Sequence, residues 1–214
     1  MAFMSSIVCL VLFPFAVIIS SLFEPVLALP TTTLVSDIIA QGLLRIKGGS
    51  PELALAAALK AIELNPSLPE SYFLLGRAQQ DIGLKSDSIN SYSRAIFFNP
   101  RYIAAYSNRG LVKAAMGDYV EAIKDFDQAI KINEKYAPAY LNRGVALGAT
   151  GNASAALSDF SKAININPKY VEAYLNRGIA KELIGDPIGA CSDWKIAATY
   201  GSTEALIWHK NQCL

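Results

Sequence analysis

The chain is short of the groups that most chemistry needs. Of its 214 residues only His209 is a histidine, and it stands in the C-terminal tail beside Trp208. A catalytic triad or a histidine-based metal site has no second member near it. Asp and Glu are spread along the chain rather than gathered. A glycine-rich phosphate loop is missing too, because Gly48-Gly49-Ser50 has no Lys to reach phosphates and reads as a hairpin turn. The expectation is a chain that is not an enzyme, with no cofactor and no metal. Net charge is also scarce: 19 Lys and Arg against 18 Asp and Glu leave +1, too weak a field to imply nucleic acid or anionic lipid as a partner.

Lys and Arg are absent altogether from Met1 to Leu44, and the run from Ile7 to Phe23 is apolar but for Pro14, Ser20 and Ser21. Val26-Leu27-Ala28 puts small residues at the two sites an export peptidase reads. Residues 1–28 are therefore read as a cleaved export signal, and 29–34 as a short unstructured linker. The alternative is an uncleaved membrane anchor, since about 17 to 25 apolar residues span a bilayer. There is no basic n-region, and Cys9 lacks the small residues that would precede it in a lipoprotein signal. Both readings put the rest of the chain outside the cytoplasm: periplasmic, luminal or secreted if cleaved, tethered to the membrane through 1–28 if not.

From Val35 onward the chain is periodic. Ala105-Tyr106-Ser107-Asn108-Arg109-Gly110 returns as Ala139-Tyr140-Leu141-Asn142-Arg143-Gly144 and as Ala173-Tyr174-Leu175-Asn176-Arg177-Gly178, each 34 residues on. The same step backward lands on Gly76 and Gly42, so five copies run from Val35 to Glu204, as 35–68, 69–102, 103–136, 137–170 and 171–204. A fixed period of this length belongs to arrays of helical hairpins. Two runs of helical apolar spacing fill each copy, and Gly49, Gly83, Gly117, Gly151 and Gly185 fall between them as the turn. Asp118, Asn152 and Asp186 follow as expected N-caps of the second helix. Within that helix a large and a small residue recur, Tyr92 with Ala95, Phe126 with Ala129, Phe160 with Ala163 and Trp194 with Ala197, and Pro66, Pro100 and Pro168 stop it.

An aromatic, Gly, Gly, Ala, aromatic, Ala and Pro at these spacings resembles the tetratricopeptide repeat (TPR) family over about four-fifths of the chain. The resemblance implies an all-α fold, a right-handed superhelical α-solenoid of five hairpins, with residues 205–214 as a C-terminal capping helix. It also implies a concave groove, lined by the first helix of each pair, that holds a protein or peptide partner. Ile38 and Ala58 depart from the pattern in the first copy, Ser88 in the second and Glu134 in the third.

Arg stands before the glycine in three copies, as Arg109, Arg143 and Arg177, where the family usually has Leu. The same copies place Asp before the aromatic of the second helix, as Asp125, Asp159 and Asp193, and the first two copies have neither charge. Charges that come and go together predict an ion pair within each hairpin. Asn108, Asn142 and Asn176, one residue earlier, fall on the face the family turns to its groove and resemble the asparagine ladder with which some TPR proteins hold extended substrates. The alternative is that they merely solvate a packed helix. Leu43, Phe73 and Arg77 complete the candidate peptide-binding set, with Gln80, Ser107 and Leu111 beside them and Glu172 and Glu182 closing the far end. The Lys, Asn and Arg cluster by which chaperone-binding relatives clamp a C-terminal carboxylate is not reproduced.

Once residues 1–28 are gone, Cys191 and Cys213 are the two cysteines that remain, and an even pair in an exported chain is a candidate disulfide. Repeat proteins that look similar at their ends also close with such a Cys pair. The alternative is two buried thiols acting as small apolar residues. The sequence thus reads as a non-catalytic interaction scaffold or assembly factor with an extended partner in its groove. The second reading is a structural subunit of an envelope complex, engaged through its convex face and ends.

Overall fold

The computed structural model describes residues 31–213, all in helices and the turns between them. The expected export signal or anchor, residues 1–28, lies outside the described residues. Among those described, eleven helices succeed one another: α1 (Thr31–Lys47), α2 (Pro51–Leu64), α3 (Pro69–Asp81), α4 (Lys85–Phe98), α5 (Ile103–Ala114), α6 (Tyr119–Ile132), α7 (Ala137–Ala149), α8 (Ala153–Ile166), α9 (Val171–Leu183), α10 (Pro187–Thr199) and α11 (Thr203–Gln212). Each packs on the next. The odd-numbered helices also touch one another, α1 on α3, α3 on α5, α5 on α7 and α7 on α9, whereas the even-numbered ones do so far less. An array squeezed along one row of helices curves toward that row, so this α-solenoid has α1, α3, α5, α7 and α9 on its inner face.

The turn inside each hairpin is set by backbone geometry. Gly117, at φ +88°, adopts the left-handed conformation that an L side chain resists, and the Asp118 N–H then reaches back to the Lys113 carbonyl at 3.0 Å, closing α5. Gly83, Gly151 and Gly185 repeat the geometry at +84° to +86°. The expected side-chain caps are uneven. Asn152 and Asp186 accept from the backbone of Ala155 and Gly189, while Asp118 makes no such bond and leaves the start of α6 to its backbone.

A second periodic device joins one hairpin to the next. Asn65, Asn99, Asn133 and Asn167 end the even helices, and each side-chain carbonyl accepts the N–H two residues on, at 3.2, 3.0, 2.9 and 3.2 Å. These turns at the asparagine hold the corner even where Glu134 replaces proline.

Packing explains the glycine of the repeated motif. A Cβ at Gly76, Gly110 or Gly144 would fall 2.8, 2.7 or 2.6 Å from a ring carbon of Tyr92, Phe126 or Phe160, and Gly178 lies likewise under the Trp194 indole. The bare backbone lets each ring seat flat on the opposing helix. In the first hairpin Ala58 cannot fill that place, and Leu74 of the following hairpin leans over Gly42 instead. Ser88, where small apolar residues usually stand, donates its buried hydroxyl to the Gly76 carbonyl at 2.9 Å, so its polarity is satisfied.

The ends differ from the sequence expectation. Thr31 to Leu34, expected as linker, form the first turn of α1, because Val35 and Ile39 bury against Ala61 and draw the helix into the fold. The capping helix starts at Thr203, two residues early, where the Ser202 hydroxyl accepts from the Ala205 N–H at 3.1 Å. Among the described residues no helix is long and apolar enough to cross a membrane.

Candidate functional site

The three repeated arginines sit between hairpins. Arg109 donates from Nε and Nη2 to Asp125 at 3.0 and 2.6 Å, Arg143 to Asp159 at 2.7 and 2.7 Å, and Arg177 to Asp193 at 2.8 and 2.7 Å. These bidentate forks are the within-hairpin pairs that the sequence pattern predicts. Each guanidinium has a further bond that the pattern does not predict: Nη1 donates backward, to Ser93 for Arg109, Asp127 for Arg143 and Ser161 for Arg177, at 2.8, 2.6 and 3.2 Å. All three partners lie on the second helix of the preceding hairpin. The guanidinium of Arg143 also stands 5.6 Å from the ring centre of Tyr140, with Arg109 and Arg177 placed alike over Tyr106 and Tyr174. Hydrogen bonds to Asp159 and Asp193 raise the pKa values of Arg143 and Arg177.

With the arginines so engaged, the inner face presents mostly uncharged groups. Asn108, Asn142 and Asn176 are half-buried on α5, α7 and α9. Asn108 and Asn176 each donate to the carbonyl four residues back, on Ala104 and Glu172, both at 2.7 Å. That bond fixes the rotamer and uses one N–H, while the amide oxygen keeps its accepting capacity. Leu111 and Val145 are exposed beside them, as is Leu183 at 72%.

Several expected groove residues are committed elsewhere. Phe73 packs against Tyr92 and Tyr102, ring centres 5.8 and 5.1 Å away, and serves as a joint between hairpins. Gln80 accepts from the Tyr92 hydroxyl at 2.9 Å, and Ser107 is only 3% exposed. Burial pushes the Tyr92 hydroxyl pKa up, with the Arg77 charge opposing. Arg77 has a buried Nε with no hydrogen-bond partner among the described residues. Leu43 lines an apolar hollow of about 370 Å³ at the N-terminal end, with Val35, Ile39 and Leu68.

At the other end the Cys191 and Cys213 sulfurs are bonded, with Cα atoms 5.7 Å apart, tying α10 to the end of α11. Among the described residues no cluster of His, Cys, Asp and Glu could hold a metal.

Comparison with known proteins agrees with this architecture. Residues 103–136 and 137–170 each match a family model for the tetratricopeptide repeat, over the third and fourth repeats. No curated protein sequence matches the chain. Among solved structures, MamA protein is similar at 28% identity and a TM-score of 0.67, with 82% of this chain and 94% of that one covered. Pseudomonas aeruginosa pilF gives a TM-score of 0.77 at 18% identity, covering 81% of this chain and 79% of that one. A thermophilic TPR protein of Thermus thermophilus gives 0.69 at 19%, covering 84% and 98%. The last two speak for the fold alone.

Proposed function

We propose that the chain is a non-catalytic scaffold or assembly factor whose inner face holds an extended segment of a protein or peptide partner. The observation that carries this reading is the repeated pairing, on α5, α7 and α9, of a half-buried amide (Asn108, Asn142, Asn176) with the aliphatic side chain three residues on (exposed Leu111 and Val145, half-buried Ile179). Amides at a fixed interval can meet backbone groups whatever the partner's sequence, and aliphatic surface between them supplies affinity. TPR arrays are a class of repeat suited to such grooves. Changing Asn108, Asn142 and Asn176 together to Ala should weaken capture of extended peptides at least about ten-fold without lowering the melting temperature, since each lost bond to a partner is worth about 0.5–1.5 kcal/mol. Unchanged capture would move the partner to another surface.

A second reading has its own support. Phe97, on α4, is 71% exposed, and Ile188, at the start of α10, is 84% exposed; both lie on the outer row of helices. Large apolar side chains on that row suit a structural subunit of an envelope complex engaged through its convex face. Replacing both with Ser separates this reading from the first, as it spares peptide capture and reduces incorporation into any larger complex.

For location we propose export or tethering at a membrane, with the repeats outside the cytoplasm. The support is the Ile7–Phe23 apolar run, the small residues before Leu29, and a cysteine pair at disulfide distance, which suits an oxidising compartment. The N-terminal residue of the purified protein tests it: Leu29 indicates cleavage, and Met1 in the membrane fraction indicates an anchor. Met1 in the soluble cytoplasmic fraction would overturn both.

A further inference from the structure

The inner face has a hollow where one helix carries a glycine. Gly148 on α7 occupies the place held by Ile46, Gln80, Ala114 and Glu182 in the other hairpins, each a multiple of 34 residues away. Without a side chain there, a pocket of about 150 Å³ opens between α7, α8 and α9. Val145, Gly148, Ile179 and Leu183 line it, together with the buried Phe160 ring and the Asn176 amide. An apolar cavity of this size accommodates one group as large as benzene.

The charge around the pocket is one-sided. The cations of α7 and α9 are spoken for: Arg143 by Asp159 and Asp127, and Arg177 and Lys181 by Asp193. Glu182 holds on α9 the place that Gly148 holds on α7 and is next in sequence to Leu183 of the lining; Glu172 lies one helix length away. Both are exposed, and among the described residues neither pairs with a cation. An aliphatic pocket with the exposed Glu182 carboxylate next in sequence to its lining disfavours an acidic segment and favours a basic one.

We propose that the Gly148 pocket is the specificity anchor of the groove. It takes one Leu, Ile or Met side chain of an extended segment, and Glu182 pairs with a Lys or Arg next to that residue. This rests on the reading of the inner face as the binding surface.

The test uses the full-length chain in mild detergent and fluorescently labelled peptides that share a Gly-Ser frame around a central Leu-Lys, Ala-Lys or Leu-Glu pair. The Leu-Lys peptide should bind about ten-fold or more tightly than either of the others, the aliphatic difference being two to three buried carbons. Gly148→Leu should fill the pocket and remove the preference for Leu over Ala. It should fold at least as well as the parent, since a Cβ at Gly148 meets only Ala156 Cβ, at 4.0 Å, and a helical glycine is being replaced. Glu182→Gln should remove the preference for Lys over Glu. Equal binding of the three peptides by the parent, no binding of any of them, or a Leu preference that survives in Gly148→Leu overturns the anchor. Asn108→Ala with Asn142→Ala, which leaves the pocket lining intact, separates the two readings. If it weakens all peptides while Gly148→Leu alters none, the groove stands and the anchor falls. If neither variant alters binding, both fall.

Discussion

Arg143 on α7 reaches back across the hairpin boundary to Asp127 on α6, Nη1 to Oδ1 at 2.6 Å, while its Nε and Nη2 hold Asp159 on α8. One guanidinium thereby joins three helices of two hairpins. Its two acceptors differ in weight, because Asp159 is nearly buried at 7% and Asp127 is 46% exposed. Arg143→Ala leaves the buried carboxylate unpaired and should cost about 3 kcal/mol, the lower end for breaking a buried pair, since Arg143 is itself 24% exposed. Asp127→Ala loses only a solvent-facing pair and should cost less than about 1 kcal/mol. Urea unfolding of both variants checks the ratio; since Arg143→Ala removes both links, equal losses would show that the link between hairpins carries the whole effect.

Two glycines of α7 should respond oppositely to the same substitution. Gly144→Ala drives a methyl to within 2.6 Å of the buried Phe160 ring, and the overpacking cost of about 1–3 kcal/mol outweighs the gain in helix propensity of about 1 kcal/mol. Gly148→Ala enters open space and keeps that gain, reduced near a helix end. Gly144→Ala should lower the melting temperature and Gly148→Ala should leave it level or raise it. A rise in both would mean that propensity alone governs the helix, and a fall in both that Gly148 is packed as tightly as Gly144.

Much of this was legible because a repeat prints its packing rule several times over. The 34-residue period, the hairpins, the glycine under an aromatic ring and the Arg–Asp forks all rest on positions whose chemistry recurs. The backward bonds were not legible, since their acceptors are Ser93, Asp127 and Ser161, which share a position but not a charge. A second position varies along with them. Lys113 and Lys181 add a second cation to Asp125 and Asp193, and where Leu147 takes that place Asp127 supplies an anion to Arg143 instead. The groove was less legible than the core. Face assignment alone could not tell that Phe73, Gln80 and Ser107 are held by neighbours, nor that Gly148 opens a pocket. The periodic Asn65, Asn99, Asn133 and Asn167 do recur in the sequence, but three of them precede a proline that is itself enough to stop the helix.

Alkaline pH should loosen the N-terminal half of the array. Burial, with the Glu70 charge adding to it, pushes the Tyr102 hydroxyl up to about 12, and burial raises Tyr92 further. An unfolded tyrosine ionises near about 10. A folded-state pKa above the unfolded one gives stability that is complete below about pH 10 and is lost as pH rises toward about 12. Urea midpoints measured across that window should fall with rising pH, and less steeply in Tyr102→Phe. An unchanged slope in that variant would assign the alkaline loss to other groups.

The disulfide should govern the last helix and little else. α11, the last of the described helices, packs chiefly on α10, through Ala205 and through Trp208 edge-on to Trp194 at 5.4 Å. Cys191 and Cys213 are 22 residues apart, and closing a loop of that size is worth about 3 kcal/mol in the chain-entropy model. In a solenoid each unit answers to its neighbours, so this stabilisation stays local. Cys191→Ser with Cys213→Ser, or reduction of the parent, should therefore speed amide hydrogen exchange across α10 and α11 while α5 to α8 keep their protection. Uniform loss along the array would mean that the hairpins unfold as one unit, and two thiols alkylated in denatured, unreduced parent protein would mean that the bond does not form. Freed of its tether, α11 would bare the apolar end that Ala205 and Trp208 cover, so the doubly substituted protein should also self-associate more readily, which light scattering would register.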